Sequence, residues 1–566
     1  MIKLSHKPAD FAPTLKNMEF ISTFTDPAEE RIEVGVLFVG AGPASLSGAI
    51  HLAILLGQKP ELNEQLGEVP IAIVEKGKYP GAHLLSGAVV NPIGFQKLFP
   101  NMTIDDFPFY NSVEGEAVYY LTKNHAFRFP IIPPTMKNHG NYIASLSEIG
   151  KWLGEKAEEL GIMILTETSA ISLIIEDNSI KGIRTGEKGL SSAGEQLPNY
   201  EPGVDISAKI TILGEGPLGH LSQTLIEEFD LAPTNPQVYA LGVKEIWEVA
   251  KPLNKVIHTM GWPLRGAKKY SEFGGSFIYP MAKDKISIGF VVGLDYSDSS
   301  LSTHDLLQEF KSHPLIRNIL ADGNRIENGW GAKTIPEGGY YSLPKKYHVP
   351  GALLIGDSAG FVNVPALKGI HYAMLSGIIA AETLYDKIQN EDDKIENLGD
   401  FDLAIKNSVI EKDLYKVRNM RQAFKYGFTT GSFLAGLMTI TSGLFPGWRF
   451  SMHSDRERTM VKGTQEYGKT DNQFTFDKLS SVYASGNRSR DNQPDHLKVN
   501  RNVPEVIGET WIHMCPAEVY EWKDNDEGAK TIQTNPTNCV QCGAITAKGG
   551  RLTPPEGGSG PEYTDT

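Results

Sequence analysis

The cysteines are the residues whose spacing points most directly to chemistry, and all three lie close to the C-terminal end of the 566-residue chain. Cys515 is followed by Cys539 after 23 intervening residues, and two residues separate Cys539 from Cys542. Thiolates at such spacing bind iron–sulfur clusters or zinc, but a closed tetrahedral set requires four ligands. The sequence therefore supplies three ligands and does not identify a fourth.

Three interpretations of these thiols stay open on the residues alone. The first is an iron–sulfur cluster held by three thiolates, either with water, a hydroxyl or a carboxylate as fourth ligand or in a three-iron form. The second is a zinc site that His513 completes, although its position two residues before Cys515 is not a usual zinc spacing. The third is a tail that keeps its fold without a metal.

A second set of residues has the pattern of a dinucleotide-binding turn. The apolar run 34–40 predicts a buried parallel strand that leads through Gly40 and Gly42 into an Ala/Leu-rich helix. In such a turn the first glycine makes the bend, the second lets the backbone approach a pyrophosphate, and the helix N-terminus contributes free N–H groups. Ser45 stands at the third glycine position, where we expect it to be small enough for close packing.

The next predicted strand, 71–75, ends in the carboxylate that should hold a ribose hydroxyl, Glu75. This acid lies farther from Gly40 than the usual ~20 residues, because a polar insert at 57–68 lengthens the connection. Strand, turn, helix, strand and terminal acid together predict a Rossmann-like nucleotide site.

Two further glycine-rich segments favour FAD over a nicotinamide cofactor. Segment 208–219 reads as a strand that ends in a glycine-rich turn, and segment 351–360 places Gly356 and Asp357 at the end of another strand. A carboxylate there can accept hydrogen bonds from ribityl hydroxyls. A helix that begins after Gly369 would direct its N-terminal dipole at the pyrimidine edge of the flavin. This order of segments is typical of two-domain FAD enzymes.

Composition and charge restrict the function further. The formal net charge of −14 argues against extensive nucleic-acid binding. Three cysteines give no disulfide framework and indicate a reducing compartment. The first thirty residues lack the layout of a secretory signal and of an arginine-rich presequence, so a bacterial cytoplasmic setting is the simplest expectation.

Phrases spread over most of the chain match one family. They are found at 81–88, 138–142, 241–247, 258–264, 274–277, 291–296, 363–365, 515–521 and 555–561. Through these phrases the chain resembles the electron transfer flavoprotein–ubiquinone oxidoreductase family. The resemblance implies an FAD-dependent enzyme of the electron-transferring-flavoprotein dehydrogenase type, which oxidises reduced electron transfer flavoprotein and reduces ubiquinone in the membrane.

The resemblance also implies a fold and a set of binding residues. The expected architecture is multidomain α/β and α+β: a Rossmann-like FAD-binding domain of the two-domain flavoprotein type, an α+β quinone-binding domain, and a C-terminal ferredoxin-like domain. Gly274 and Gly275 match the paired glycines at the quinone head group. Cys515, Cys539 and Cys542 match three of the four ligands of a [4Fe–4S] cluster. No nucleophilic catalytic residue is expected.

The predicted boundaries follow the same resemblance. The FAD domain is expected in three parts and the quinone-binding domain between two of them, with the membrane-facing segment and the iron–sulfur domain last. The ranges are 1–110, 111–235 and 345–420 for the FAD domain, 236–344 for the quinone-binding domain, and 421–566 for the remainder.

Three positions depart from the family pattern. The family spacing C-x2-C-x2-C would place a fourth cysteine where this chain has Ile545, and an alkyl side chain cannot ligate iron. Pro336 replaces an asparagine and cannot supply its side-chain hydrogen bond. Ile370 replaces a hydroxyl residue expected near the flavin. The last two changes should shift the flavin potential in a direction that the sequence does not settle.

A quinone dissolved in lipid requires a surface that enters the membrane. The uncharged segment 427–448, flanked by Lys425 and Arg449, is the best candidate, although its glycines and hydroxyl residues favour insertion into one leaflet over spanning. Segment 91–99 is expected to add apolar side chains to the same face, namely Ile93, Phe95, Leu98 and Phe99. We expect a monotopic protein on the cytoplasmic face of a bacterial inner membrane. An ordinary buried helix pair is the alternative.

Two other functions are compatible with the sequence. One is a quinone- or isoprenoid-reducing flavoprotein of the geranylgeranyl reductase kind, which shares the FAD architecture and has no cluster. The other is a non-enzymatic docking protein that keeps the fold and has lost the flavin.

Overall fold

The computed structural model describes residues 6–15, 17–265, 270–282, 284–390, 395–525 and 528–566. The strands are β1 Ile21–Ser22, β2 Ile32–Val39, β3 Ile71–Val74, β4 Val89–Val90, β5 Phe109–Ser112, β6 Glu116–Leu121, β7 Ala126–Arg128, β8 Tyr142–Ala144, β9 Met163–Leu165, β10 Ala170–Glu176, β11 Ser179–Thr185, β12 Lys188–Leu190, β13 Gln196–Glu201, β14 Asp205–Leu213, β15 Tyr239–Glu248, β16 Val256–Gly261, β17 Gly274–Pro280, β18 Lys285–Gly293, β19 Asn324–Pro336, β20 His348–Val349, β21 Ala352–Leu354, β22 Leu497–Lys498, β23 Tyr520–Asp524, β24 Lys530–Thr534 and β25 Arg551–Leu552.

The α-helices alternate with these strands in the first half of the chain and dominate between the second sheet and the C-terminal region. They are α1 Pro43–Leu56, α2 Pro60–Leu66, α3 Ile93–Leu98, α4 Leu146–Glu159, α5 His220–Glu228, α6 Thr303–Lys311, α7 Pro314–Ile319, α8 Ile370–Gln389, α9 Gly399–Asn407, α10 Val409–Lys416, α11 Met420–Ala423, α12 Phe428–Ile440, α13 Lys478–Tyr483, α14 Glu505–Met514 and α15 Ala544–Ala547.

The first sheet has nine strands in the path β1-β10-β11-β14-β2-β3-β9, to which β21 is added on β14 and β20 on β21. Its central strands β21, β14, β2, β3 and β9 run parallel, with Val36 opposite both Ile210 and Ile71. The run from Val34 to Val39 is buried throughout, as expected for a parallel strand covered on both faces. This sheet confirms the predicted Rossmann-like domain.

Two helices cover the nucleotide-binding half of this sheet by packing on each other. Glycines allow the close approach of α1 and α8: a Cβ at Gly48 would lie 3.0 Å from the Gly377 carbonyl oxygen, and one at Gly377 would clash with the Ala44 carbonyl. The N-termini of both helices are thereby held side by side at the carboxyl ends of the strands, which is where α/β sheets bind ligands.

The second sheet has seven strands in the order β19-β15-β18-β17-β16-β6-β7. It is antiparallel except for the parallel pair β16 and β6, and α6 packs on β15 and β18. This is the predicted α+β domain, but β6 and β7 come from residues that the sequence assigned to the FAD domain. The domain boundary therefore differs: the range 111–235 contributes two strands to the second sheet.

The C-terminal region is built from short elements on the core of the second sheet. The pairs β22–β25 and β23–β24 accompany α14 and α15. The Trp511 Nε1 donates to the Lys548 carbonyl oxygen at 2.8 Å and joins α14 to α15. The final segment crosses to the FAD domain, where Ser147 N donates to the Thr566 carbonyl oxygen at 3.0 Å. The cysteine-bearing region is thus fixed against both larger domains.

Candidate functional site

One large cavity connects the predicted cofactor and quinone residues. Its volume is about 1200 Å³, which exceeds the ~300–1,000 Å³ of an ordinary small-molecule site and suits a dinucleotide together with a second ligand. The predicted residues that line it are Gly40, Gly42, Glu75, Gly274, Gly275, Asp357 and Gly369. Ser45 and Gly356 lie directly behind this wall.

The dinucleotide turn has the backbone geometry that the sequence predicts. Gly40 has a φ of +91°, and a Cβ there would lie 2.9 Å from the Gly214 carbonyl oxygen, so only glycine is accommodated without strain. Gly42 is the N-cap of α1, and Pro43 occupies the first helical position, where its missing N–H costs no hydrogen bond. The unsatisfied N–H groups of this first turn face a ligand site.

Ser45 is fully buried where α1 meets the sheet. Any Cβ at Gly214, which follows β14, would clash with the Ser45 Oγ. The close packing that a third glycine on the helix would normally permit is therefore provided by a glycine on the facing strand.

Glu75 is held by the backbone on both sides of its carboxylate. Its Oε2 accepts from Ala41 N at 2.8 Å, and its Oε1 accepts from Gly77 N at 2.7 Å. These bonds tie the end of β3 to the glycine turn and orient an acceptor at the cavity wall, as the ribose role requires.

Asp357 lies in a short 3-10 turn that follows β21. Burial raises the pKa of its carboxyl to about 6, and among the described residues none donates a hydrogen bond to it. A buried carboxylate without a protein donor is costly unless a ligand provides one. The hydroxyls of a ribityl chain would do so.

The N-terminus of α8 points at the same part of the cavity. Gly369 is its N-cap and Ile370 its first residue, and both line the wall. Lys368 adds a positive charge here: its Nζ donates to the Ala366 carbonyl at 3.2 Å and to the Asn138 side chain, and burial lowers its pKa to about 8. The sequence reading missed this lysine, which strengthens the positive potential of the helix terminus.

Gly274 and Gly275 on β17, the predicted quinone-binding glycines, line the cavity wall. A Cβ at Gly275 would lie 2.5 Å from the Thr259 carbonyl oxygen, and one at Gly274 would clash with the Val291 carbonyl. Backbone therefore approaches the cavity directly at this point. A second polar pair lies nearby and was not predicted: His258 Nε2 and the Tyr279 hydroxyl are 2.9 Å apart.

From these glycines the cavity runs between apolar side chains towards an exposed face. Along α12 and the loop after it, Phe433, Ile440, Leu444 and Trp448 are 67%, 81%, 82% and 64% exposed. An apolar patch of this kind on a surface marks an interaction with protein or membrane. This finding contradicts the ordinary buried helix pair, since only Gly431 and Met438 of α12 are buried.

The second contributor to this apolar face is not the one expected. Phe95 and Leu98 are 0% and 2% exposed and belong to the core of the FAD domain, so the prediction that segment 91–99 adds them to the face is wrong. Instead, the β6–β7 hairpin and the loop after it expose Phe127 and Ile131. The Tyr120 ring of this hairpin contacts the Phe428 ring at the start of α12. No helix among the described residues has the length and apolarity needed to cross a membrane.

The three cysteines, which are separated in the sequence, lie near enough in the fold for their thiols to interact electrostatically. Burial raises the pKa values of all three thiols, that of Cys542 to about 12, and repulsion from neighbouring thiols adds to the rise at Cys539 and Cys542. Amide N–H groups point at the sulfurs: Gln541 N donates to the Cys539 Sγ at 3.4 Å, and backbone donors likewise serve the other two. Backbone donors to sulfur are one of the features that tune iron–sulfur clusters.

The zinc interpretation finds no support in the described part of the chain. His513 Nε2 lies 3.2 Å from the Glu509 carboxylate one turn earlier in α14, and no group of three or more His, Cys, Asp and Glu side chains among the described residues is arranged to hold a single metal ion.

Two half-buried lysines line the cavity between its nucleotide end and the cysteines. The Lys333 Nζ donates to the Gln541 carbonyl oxygen at 3.3 Å, and Lys76 follows Glu75 directly. Burial lowers the pKa of both lysines, whereas the facing thiols and Glu75 raise it. Sequence reading had no signal for them, because lysines are usually exposed.

Comparison with known proteins places this geometry in a family. Residues 239–335 match the domain described as ETF-QO, ubiquinone-binding, and residues 472–564 match the domain described as electron transfer flavoprotein-ubiquinone oxidoreductase, 4Fe-4S. The chain is 38% identical to the human mitochondrial electron transfer flavoprotein-ubiquinone oxidoreductase, over 94% of this chain and 89% of that protein. It is 36% identical to the Dictyostelium discoideum mitochondrial protein, over 95% and 91% of the two chains.

The solved structures agree on the fold of the larger part. A geranylgeranyl bacteriochlorophyll reductase-like protein from Thermoplasma acidophilum superposes with a TM-score of 0.54 over 73% of this chain and 92% of that one. At 16% identity this likeness concerns the fold alone. The long sequence matches, which include both the quinone and the cluster domains, decide between the two enzyme classes: the chain belongs to the electron transfer flavoprotein–ubiquinone oxidoreductase family.

Proposed function

We propose that this protein oxidises reduced electron transfer flavoprotein and reduces ubiquinone, with FAD in the large cavity between the two partners. One observation carries the proposal: a single cavity joins the nucleotide turn, the unpaired Asp357 and the paired glycines of β17, and then opens at the apolar face. Neither a nicotinamide dehydrogenase nor a docking protein needs that connection.

The residues present fit FAD. The glycine turn leaves room for a pyrophosphate, two amides orient the Glu75 carboxylate, and no described residue donates a hydrogen bond to Asp357. When bound, FAD supplies a redox centre that accepts electrons singly and delivers two to a quinone. Around it, the α8 terminus and Lys368 stabilise negative charge at the edge of the ring system.

The quinone end is shaped to accept a flat head group. Gly274 and Gly275 bring backbone rather than side chains to the wall, and Thr259 and Ser276, whose hydroxyls are hydrogen-bonded at 2.7 Å, line the cavity beside them. The Tyr279 hydroxyl is held by His258, whose pKa burial lowers to about 3, so the imidazole is neutral at physiological pH. This pair keeps a hydroxyl proton at the cavity wall.

The apolar face suits binding to one leaflet of a membrane. Exposed side chains of α12, its following loop and the β6–β7 hairpin surround the mouth of the cavity, and a lipid-soluble quinone can enter there without crossing water. We propose peripheral, monotopic attachment, and the cytoplasmic face of a bacterial inner membrane as its place. The named relatives are mitochondrial proteins of eukaryotes.

The test is anaerobic quinone reduction by the purified, flavin-loaded protein with reduced electron transfer flavoprotein as the donor. We expect turnover with the wild-type protein and a loss of about 10- to 100-fold in Gly275→Ala at unchanged flavin content, because overpacking costs about 1–3 kcal/mol. Gly447→Ala is the matched control, since a Cβ there meets nothing within 4 Å.

Three results would contradict the proposal. A flavin-loaded protein that does not reduce quinone with this donor rejects it. Reduction of an isoprenoid double bond instead would identify the geranylgeranyl reductase kind of activity. A protein that binds no flavin would be a docking protein.

A further inference from the structure

The cysteine region supplies three thiols, and an apolar side chain occupies the position of the fourth. The thiols of Cys515, Cys539 and Cys542 are electrostatic neighbours, and Gln541 N donates to the Cys539 Sγ at 3.4 Å. Between the last two, Gln541 adopts a positive φ of 52° and turns the chain sharply. The fold therefore brings three thiols into one neighbourhood, as a cluster requires.

The position that carries a fourth cysteine in the family is part of the hydrophobic core. Ile545 is 4% exposed and packs with the core shared by α14 and the second sheet. A Cβ at Gly550 would lie 2.6 Å from the Ile545 Cγ1 and 2.9 Å from the Val499 Cγ1. Main-chain bonds fix the residue as well, since Gly550 N donates to the Ile545 carbonyl oxygen at 2.9 Å. The four-thiolate set therefore does not fit this chain.

The strongest rival for the fourth ligand is a buried histidine. His496 is 5% exposed and precedes β22, and within the described part of the chain neither of its ring nitrogens has a hydrogen-bond partner. Its electrostatic neighbours are Asp495, Lys76 and Lys498, of which Lys76 also faces Cys539. The imidazole thus belongs to the neighbourhood of the site, but no contact with a sulfur is seen.

We propose that the C-terminal region holds an iron–sulfur cluster through Cys515, Cys539 and Cys542 alone, and that the cluster is of the three-iron type because Ile545 leaves its fourth corner without a protein ligand. Binding converts three thiols to thiolates and releases three protons to solvent. Lys76 and Lys333 offset part of the resulting negative charge. The proposal rests on the family assignment of the domain and is independent of quinone turnover.

The experiment uses the full-length protein, purified without oxygen. Iron, acid-labile sulfide and flavin are measured together, and EPR spectra are recorded before and after reduction with dithionite. We expect about three irons per flavin and a paramagnetic oxidised state. In Ile545→Cys we expect about four irons, a silent oxidised state and a signal that appears only on reduction. Ile545→Val should behave as the wild type does.

The wild-type measurement decides the matter even if Ile545→Cys fails to fold. Four firmly held irons with a silent oxidised state would overturn the proposal, and so would the absence of iron after anaerobic reconstitution of a flavin-loaded sample. Nitrogen hyperfine coupling to the cluster that disappears in His496→Leu would identify that histidine as a ligand. It would reject the proposal that the three cysteines alone hold the cluster. None of these outcomes depends on quinone activity, so a failure here is distinct from a failure of the proposed function.

Discussion

The cavity and the cysteine region differ in how they are built. At the cavity, the chain reproduces the family pattern mainly with backbone: the turn at Gly40, the N-terminus of α8, and the bare β17 wall at Gly275. At the cysteine region, each proposed ligand is one side chain, and the backbone of neighbouring residues cannot replace the thiol that is absent at Ile545.

This difference explains why one site tolerates substitution and the other does not. Ser45 stands at a glycine position of the turn, and Gly214, directly after β14, leaves the space that the Ser45 hydroxyl occupies. Ile370 replaces a hydroxyl residue at α8, yet the helix N-terminus that faces the cavity is unchanged. A metal-ligand position does not tolerate such a substitution, since ligation requires a particular donor atom at a particular place.

The largest expected effect comes from removing a second ligand from the weaker site. In Cys539→Ser we expect iron and sulfide to fall to background while flavin content stays at the wild-type level, since two thiolates cannot hold a cluster that three held. Metal analysis alongside the flavin absorbance checks this. Iron retained at the wild-type level would show that the region does not bind through its cysteines.

The next effect tests the other end of the cavity, where the apolar face meets lipid. Ile440→Ser combined with Leu444→Ser should weaken binding to phospholipid vesicles about a hundredfold, since each side chain buried in the membrane contributes about 1.5 kcal/mol or more. Leu403→Ser on α9 is the matched control, because Leu403 is 58% exposed but belongs to another surface. Equal losses in both proteins would disprove the assignment of the face.

A smaller effect is expected at Asp357, where function and stability oppose each other. The pKa of this carboxyl is raised from 3.8 to about 6 in the folded flavin-free protein. Between these pH values the folded state binds a proton that the unfolded state has lost, so the free energy of unfolding falls as the pH rises from about 4 to 6. Asp357→Asn removes that dependence. We expect the variant apoprotein to be about 2 kcal/mol more stable than the wild type above pH 6, after allowance for water in the cavity, and no more stable below pH 4.

The same variant should bind FAD about tenfold more weakly, because a neutral amide is a poorer acceptor for ribityl hydroxyls than a carboxylate. Urea unfolding of the flavin-free protein at several pH values, together with flavin titration, measures both quantities. Asp322→Asn, on the exposed surface, is the control. Unchanged flavin affinity would remove Asp357 from the site.

Sequence reading recovered the parts of the site that depend on local backbone rules. Gly40, Glu75 and Asp357 lie at ends of strands, where a required positive φ or a terminal acid leaves a signal in the sequence itself. The missing ligand at Ile545 was visible only through the family resemblance, and its burial against Gly550 required the structure.

Each feature that the sequence did not predict was missed for a physical reason. Phe127 and Ile131 join the apolar face from a hairpin about 300 residues earlier in the chain, and such pairing has no local signature. Segment 91–99 was assigned to that face because Phe95 and Leu98 are apolar, but a short apolar helix reads the same whether it packs inward or outward. Lys333 lines the cavity half-buried although lysines are usually exposed, and only the structure shows the nearby Glu75 carboxylate that favours its charge.

The smallest effect sharpens the comparison at its decisive position. Ile545→Val removes one methyl group from a packed core and should lower the free energy of unfolding by about 1 kcal/mol, measured by urea denaturation of the flavin-loaded protein. Iron content and the EPR spectrum should not change, since neither side chain ligates iron. A substitution at a core position changes the free energy of unfolding, whereas one at a ligand position changes the cluster. A changed cluster with unchanged stability in Ile545→Val would mean that residue 545 acts on the metal. The contrast between the cavity and the cysteine region would then be wrong.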